Sequence, residues 1–482
     1  MVYRAGFIRF SFFILFFAAA NIVWAEGSEV QITTSSKEAL SFFKEGRNFL
    51  ENINNIKAAG LFDKAIEKDP DFALAHLYRF ISYIGGNKIA TEHLNKAVAL
   101  AGKVTDGEND IIMYWKAANE GNELKQKVFV DKLLTSFPGD KRVQTLAGQF
   151  FYGQSNFKSA LNHLQKATEI DGNYAPAYNM IGYSQINLKN NALAEKAFQK
   201  YISLLPDNPN PYDSYAELLM KEGKYDESIK QYKMAYSKDN TFFNALFGEG
   251  NNYALKGDFT MAREIYQQAF DKATNINTKL TALYWRSTSF VHEGKIDKAI
   301  ETLEEQRKLA QSNDLATSEI NNLNLQGFIL TEAGMAEKGM TKFKEASNRV
   351  STSMLSDEVK KNLSIQTDLN MCYSLAENNK LMEADNSLEK CRKEVMQRGN
   401  PTEIQLLHQT TGLIDMKKGN FKEAVANLEK SNLVDAPYTW YNLGVAYEMT
   451  GNKTEAAKFK NMAEKANVNG VGLAIVREKS KE

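Results

Sequence analysis

Between Lys141 and Ile276 one arrangement of small and large apolar residues returns every 34 residues, four times in a row. Small residues mark it most clearly: Ala160, Ala194, Ser228 and Ala262. Four positions after each stands a larger side chain, Leu164, Phe198, Tyr232 or Tyr266, and three further on come Ala167, Tyr201, Ala235 and Ala269. A fixed period of this length means a stack of like supersecondary units, each too small to bury its own apolar face. One globular core is not what such a chain builds.

A single unit, Ala175 to Asn208, explains the period. Tyr178, Ile181 and Tyr183 lie with Gly182 at helical spacing, and the run from Leu188 to Asn191 is a polar break. Ala194, Ala197, Phe198 and Tyr201 restart the helical pattern, and Pro206 to Pro209 end it, because proline lacks an N–H and clashes with the preceding turn. The unit therefore reads as two antiparallel helices joined by a tight turn. Glycine costs about 1 kcal/mol against alanine inside a helix. Its recurrence as Gly148, Gly182, Gly250 and Gly444 at equivalent places predicts that the two helix axes approach closely there.

These residues resemble the tetratricopeptide repeat, whose pattern is W-x2-L-G-x2-Y in the first helix, A-x3-F in the second and a closing proline. Trp440, Leu443, Gly444 and Tyr447 match the first half, with Ala456 and Ala463 following. Near the other end Phe42, Gly46 and Phe49 are followed by Ala58, Phe62, Ala65 and Pro70. The resemblance runs from Ala39 to about Gly470, in roughly twelve units by the 34-residue template. It implies an all-α fold, a right-handed superhelical solenoid of antiparallel helix pairs.

The phase is kept over residues 39–276 and loosens over 277–470. From Ala262 the second-helix small residues Ala299, Gly339, Ala384, Ala424 and Ala456 follow at steps of 37, 40, 45, 40 and 32. Extra residues at Ser312 to Asp314, Ser351 to Lys361 and Arg398 to Pro401 predict longer helices or longer connections. A short lead, 26–38, precedes the array, and 471–482 read as a capping segment or tail.

Residues 1–25 are a different element. Arg4 and Arg9 precede the apolar run Phe10 to Ala20, and Val23 and Ala25 are small residues at the two places a signal peptidase reads. Asn21 interrupts a run already short for a span of about 20 residues, so cleaved export is expected over an uncleaved membrane tether. The expected location is periplasmic or secreted, from a bacterial source. Removal of the two arginines leaves 57 basic against 59 acidic residues, so no basic field invites nucleic acid. Cys372 and Cys391 sit one in each helix of a repeat, where free packed thiols are favoured over a disulfide.

Chemistry is thin. His76, His93, His163, His292 and His408 are scattered, with no second ligand at metal spacing, and neither cysteine has a catalytic setting. No cofactor, metal or catalytic residue is expected. The resemblance instead implies a concave groove lined by first helices that binds a protein or peptide. Positions three before and one after the small first-helix residue share one face. With the turn before where informative, they nominate Asn179, Tyr183, Asp213, Glu217, Asn244, Phe247, Asn251, Tyr284, Thr288, Asn324, Phe328 and Tyr373. This wall is rich in amides and aromatics and free of Lys and Arg, which disfavours a grip on a terminal carboxylate. Asn179, Asn244 and Asn251 are expected to be exposed. The reading is an exported, non-enzymatic scaffold for a protein or peptide; alternatives are a periplasmic envelope or glycan-handling accessory and, more weakly, a hydrolase.

Overall fold

Each 34-residue period contains two helix starts, and the caps show why. Asp140 accepts from the N–H groups of Arg142 and Val143 to open one helix, and Asn156 accepts from Ser159 N–H to open its partner. Between them the chain reverses through a left-handed residue, Ser155 at φ +55° here and Gly257 at φ +86° three periods on. The structure, a computed structural model, describes residues 29–82 and 86–480. The segment assigned to export, 1–25, lies outside those residues. Among the described residues there are α-helices, one short 3-10 turn and no strand. None of these helices is long and apolar enough to cross a membrane.

The fold divides into two compact units, one up to Ser184 and one from Gln185. In the first, α1 (Lys37–Glu51) pairs with α2 (Asn55–Lys68), α3 (Ala73–Ile81) with α4 (Gly86–Leu100), α5 (Asp106–Asn119) with α6 (Glu123–Ser136), and α7 (Lys141–Gly153) with α8 (Phe157–Ile170). Helix α9 (Ala175–Asn187) runs through the division, and α10 (Asn191–Leu204) begins the second unit. There α11 (Pro209–Lys221) pairs with α12 (Tyr225–Lys238), α13 (Asn244–Leu255) with α14 (Phe259–Lys272), and α15 (Ile276–His292) with α16 (Ile296–Gln311). The pairs α17 (Ala316–Glu332) and α18 (Ala336–Thr352), α19 (Asp357–Glu377) and α20 (Leu381–Arg398), and α21 (Pro401–Lys418) and α22 (Phe421–Leu428) follow. Last come α23 (Pro437–Met449) with α24 (Lys453–Glu464), and the single helix α25 (Val471–Lys479). Among the described residues these are eleven helix pairs, with α9 and α10 standing between the fourth and the fifth in chain order, against the roughly twelve repeats expected.

The small and large residues interlock as the period requires. Ala160, Leu164 and Ala167 are fully buried, as are Ala262, Tyr266 and Ala269. A Cβ placed on Gly148 would stand 2.7 Å from Leu164, and one on Gly250 only 2.3 Å from the Tyr266 ring. A Cβ on Gly444 would meet the Ala456 carbonyl oxygen at 3.3 Å. Close approach is therefore the reason for glycine at these three helix positions.

After Ile276 the extra residues lengthen helices more than connections: α19 has 21 residues and α20 and α21 have 18 each. The connection at Arg398 stays tight because Gly399 takes φ +65° and Asn400 caps α21 just before Pro401. Cys372 and Cys391 are buried free thiols on the facing helices α19 and α20. Their mutual hydrogen bond and burial push the Cys372 thiol well up.

Candidate binding grooves

The inner face of the first unit is built from α1, α3, α5, α7 and α9, and an extended lead lies in it. Three buried carboxylates hold that lead: Asp69, Glu108 and Asp140. Val30 N–H donates to Asp140 at 2.9 Å, and Thr33 donates its N–H and hydroxyl to the two oxygens of Glu108 at 2.8 and 2.6 Å. Ser35 N–H donates to Asp69 at 2.9 Å, beside the hydroxyl of Thr34. Burial works against the Asp69 carboxylate, but the hydrogen bonds from Thr34 and Ser35 outweigh it and hold its pKa below the ordinary value.

Beside the lead the groove opens into a cavity of about 710 Å³. Leu50, Leu74, Ile111, Trp115 and Met180 supply its apolar wall, and Lys44, Arg47, Glu51 and Arg142 its charged one. Arg142 Nε donates to Glu51 at 2.7 Å; burial opposes the guanidinium charge, and Glu51 outweighs it. Arg47 lies 3.9 Å from Glu51, and its buried Nε makes no hydrogen bond among the described residues. This wall corrects the expectation of a groove without Lys or Arg. The same spacing rule, applied from Gly46 and Gly148, yields Phe43, Arg47, Thr145 and Gln149; the last three line the cavity, and Phe43 is fully buried in the core. The signal was present in the sequence, in repeats earlier than those from which the wall was drawn.

The second unit treats its inner face differently. The segment from Lys465 to Lys479 runs across it, and α25 packs on α15 and α23. Leu473, Ala474 and Val476 of α25 are fully buried. Asn469 Nδ2 donates to Asn251 at 2.9 Å, and its Oδ1 meets His292 Nε2 at 2.8 Å. Tyr225 donates to Asn467, and Arg477 donates to the Ala254 and Leu255 carbonyls that end α13. At the far end Lys479 Nζ stands 2.8 Å from Glu332, whose other oxygen accepts from Tyr373 and Tyr438.

The nominated residues therefore meet different fates. Asn179 lines the first cavity but is 8% exposed, not open to solvent, and Tyr183 is half-buried. Asn244 is exposed as expected. Asn251, half-buried, accepts from Tyr266 as well as Asn469, so its amide is already engaged by the chain itself. Tyr284 packs in one cluster with Val471 and Ile475, and Thr288 is fully buried, donating to the Tyr284 carbonyl. Phe247 belongs to the core with Tyr266, because Gly248 and Gly250 press α13 against tyrosines on both neighbouring helices. Asp213 is buried, and burial, followed by the charge of half-buried Glu217, raises its pKa well above the ordinary value. Asn324, Phe328 and Tyr373 line a smaller cavity.

One histidine pairing was not legible in the spacing. His76 and His93 meet through their Nδ1 atoms at 2.9 Å, and burial lowers the pKa of both. His76 Nε2 faces the Pro70 carbonyl at 3.1 Å, so it carries the proton and His76 Nδ1 accepts from His93. No third His, Cys, Asp or Glu joins them among the described residues.

Residues 175–208 and 410–467 match family profiles described as tetratricopeptide repeat. Human Tetratricopeptide repeat protein 13 is 28% identical over 122 residues, which cover 25% of this chain and 14% of that protein. Human Superkiller complex protein 3 is 28% identical over 142 residues, covering 28% of this chain and 9% of that protein. The chain thus spans only a small part of either relative. A solved tetratricopeptide repeat protein from Parabacteroides merdae is 15% identical, covering 69% of this chain and 99% of that chain with a TM-score of 0.35.

Proposed function

The chain is a tetratricopeptide-repeat protein, and from that premise we propose that it is an exported, non-enzymatic scaffold gripping an extended protein segment in its first unit. One observation carries this reading: the inner face that already seats an extended lead through main-chain N–H groups leaves about 710 Å³ beside it open. The wall offers what an extended segment requires. Trp115, Leu50 and Met180 receive apolar side chains, and Arg47, whose Nε faces Glu51 at 3.9 Å without a hydrogen bond, can donate to a carbonyl or carboxylate. In the second unit the corresponding place is taken by Lys465 to Lys479, which supports placing the partner in the first.

Export rests on Arg4, Arg9 and the run Phe10 to Ala20. In a bacterial host the fractionated protein should begin at Glu26. A cytoplasmic chain that keeps Met1 would remove the exported part of the reading.

The binding test uses a photo-crosslinking residue at exposed Gln149 or exposed Asn244, in envelope extract. Crosslinks from Gln149 should converge on one identified partner, and Arg47→Ala should weaken its capture by roughly 1.5–3 kcal/mol, the range for a charged hydrogen bond. Crosslinks from Asn244 alone would move the binding face to the second unit.

A further inference from the structure

We propose that the cavity on α17, α19 and α21 of the second unit is a binding site for a neutral saccharide of one or two rings. It is separate from the protein groove of the first unit. Its volume of about 320 Å³ sits at the small end of the range for ligand pockets, about 300–1,000 Å³. No Lys, Arg, Asp, Glu or His lines it. An ion placed there would lose its water without gaining a counter-charge, so the ligand is uncharged.

The polar lining is mostly primary amides, Asn321, Asn324, Gln366, Asn370 and Gln409, with the hydroxyl residues Thr410, Tyr373 and Tyr438 beside them. Asn324 is the informative one. It is 3% exposed, and its Nδ2 donates to Thr367 Oγ1 at 3.0 Å. Thr367 gives its own proton to the Leu363 carbonyl at 2.8 Å, so it can only accept from Asn324, and the amide orientation is fixed. Asn324 Oδ1 is left without a partner among the described residues, on a buried side chain that lines the cavity. Such groups are satisfied in folded proteins, and a donor brought by a ligand would do so. Gln409 is also engaged, its Nε2 donating to Thr439 Oγ1 at 3.1 Å.

The remaining wall is apolar and aromatic. Phe328 and Tyr438 meet edge to face at 5.4 Å, with Leu325 and Leu413 beside them. Tyr438 enters from α23 and is anchored on Glu332 at 2.7 Å. Hydroxyls that donate as well as accept suit these amides, and the C–H face of a sugar ring suits the aromatic corner. A pocket of this size holds one or two rings better than a continuing peptide.

The test is saturation-transfer NMR on the full chain with cellobiose, maltose and N,N′-diacetylchitobiose as probes. At least one should bind with a dissociation constant of about 1 mM or tighter. Asn324→Leu and Phe328→Ala should each weaken it at least tenfold, against unchanged helix content by circular dichroism. Gln366 is exposed at the rim, so Gln366→Ala should leave the fold intact and still weaken binding measurably. Absence of transfer from all three sugars, or binding that ignores all three substitutions, overturns the proposal. Neither result bears on the crosslinks at Gln149, so the two readings fail separately.

Discussion

The two units share one repeat and use its inner face in opposite ways. In the first, the occupant is an extended lead held at three points by carboxylates, and most of the wall beside it stays open. In the second, the occupant is a helix whose apolar residues enter the core, and its polar ends are tied to α11, α13, α15 and α17. The difference is one of chemistry. An edge held through main-chain N–H groups can coexist with a second chain alongside, whereas a buried helix removes the surface altogether. A repeat solenoid thus becomes a binding groove or a closed body according to what its own ends do.

The largest expected effect comes from deleting residues 465–482. Val471, Leu473, Ile475 and Val476 are buried, and each such side chain contributes roughly 1.5–3 kcal/mol on burial. Glu332 would also lose its ion pair with Lys479. Hydrogen exchange should show protection collapsing in α13, α15 and α17 while α1 to α8 keep theirs. Unchanged protection in α15 would make the segment a dispensable tail and dissolve the contrast between the units.

How much of this was legible follows from which contacts are local. The small and large residues that define each pair lie within one period, so Ala262, Tyr266 and Gly250 could be placed from the sequence. The occupant of the second groove could not. Arg477 and Leu255 are 222 residues apart, and nothing in Val471 to Lys479 says which wall it covers. Asn251 accepts from Asn469, and Tyr284 packs in one cluster with Val471, both residues of the C-terminal segment. What failed was the assumption that an inward face is a solvent face. Phe247 failed for a different reason, since two glycines on α13 draw tyrosines in from both sides.

A middle-sized effect separates the packing of the two units. Gly148→Leu and Gly250→Leu should each overpack a helix pair, at a cost of roughly 1–3 kcal/mol. Gly250 should sit at the upper end. Leu164 opposite Gly148 is a flexible aliphatic chain, whereas Tyr266 opposite Gly250 is a rigid ring whose hydroxyl also donates to Asn251. Displacing that ring should loosen Asn469 as well, so exchange should rise in α25 for Gly250→Leu only. Equal damage confined to the substituted pair in both variants would mean that the C-terminal segment is not coupled to the repeat beneath it.

The smallest effect is the most diagnostic, because the two units should answer pH with opposite sign. Asp69 has its pKa held below the ordinary 3.8 by the lead. Its contribution is present above that value and is lost as pH falls through the lower folded-state pKa. Asp213 has its pKa raised well above 3.8 by burial. Below 3.8 it is protonated folded or unfolded and costs nothing; as pH rises the unfolded chain ionises first, so stability falls. Asp69→Asn should therefore destabilise the first unit by about 1 kcal/mol at neutral pH, through its weakened hydrogen bonds to Thr34 and Ser35, and by much less in acid. Asp213→Asn should stabilise the second unit at neutral pH and match the parent in acid. Urea titrations of both variants at pH 7 and in acid, read by exchange in each unit, decide the matter. Two variants shifted the same way at pH 7 would mean that one of these carboxylates is not in the environment described.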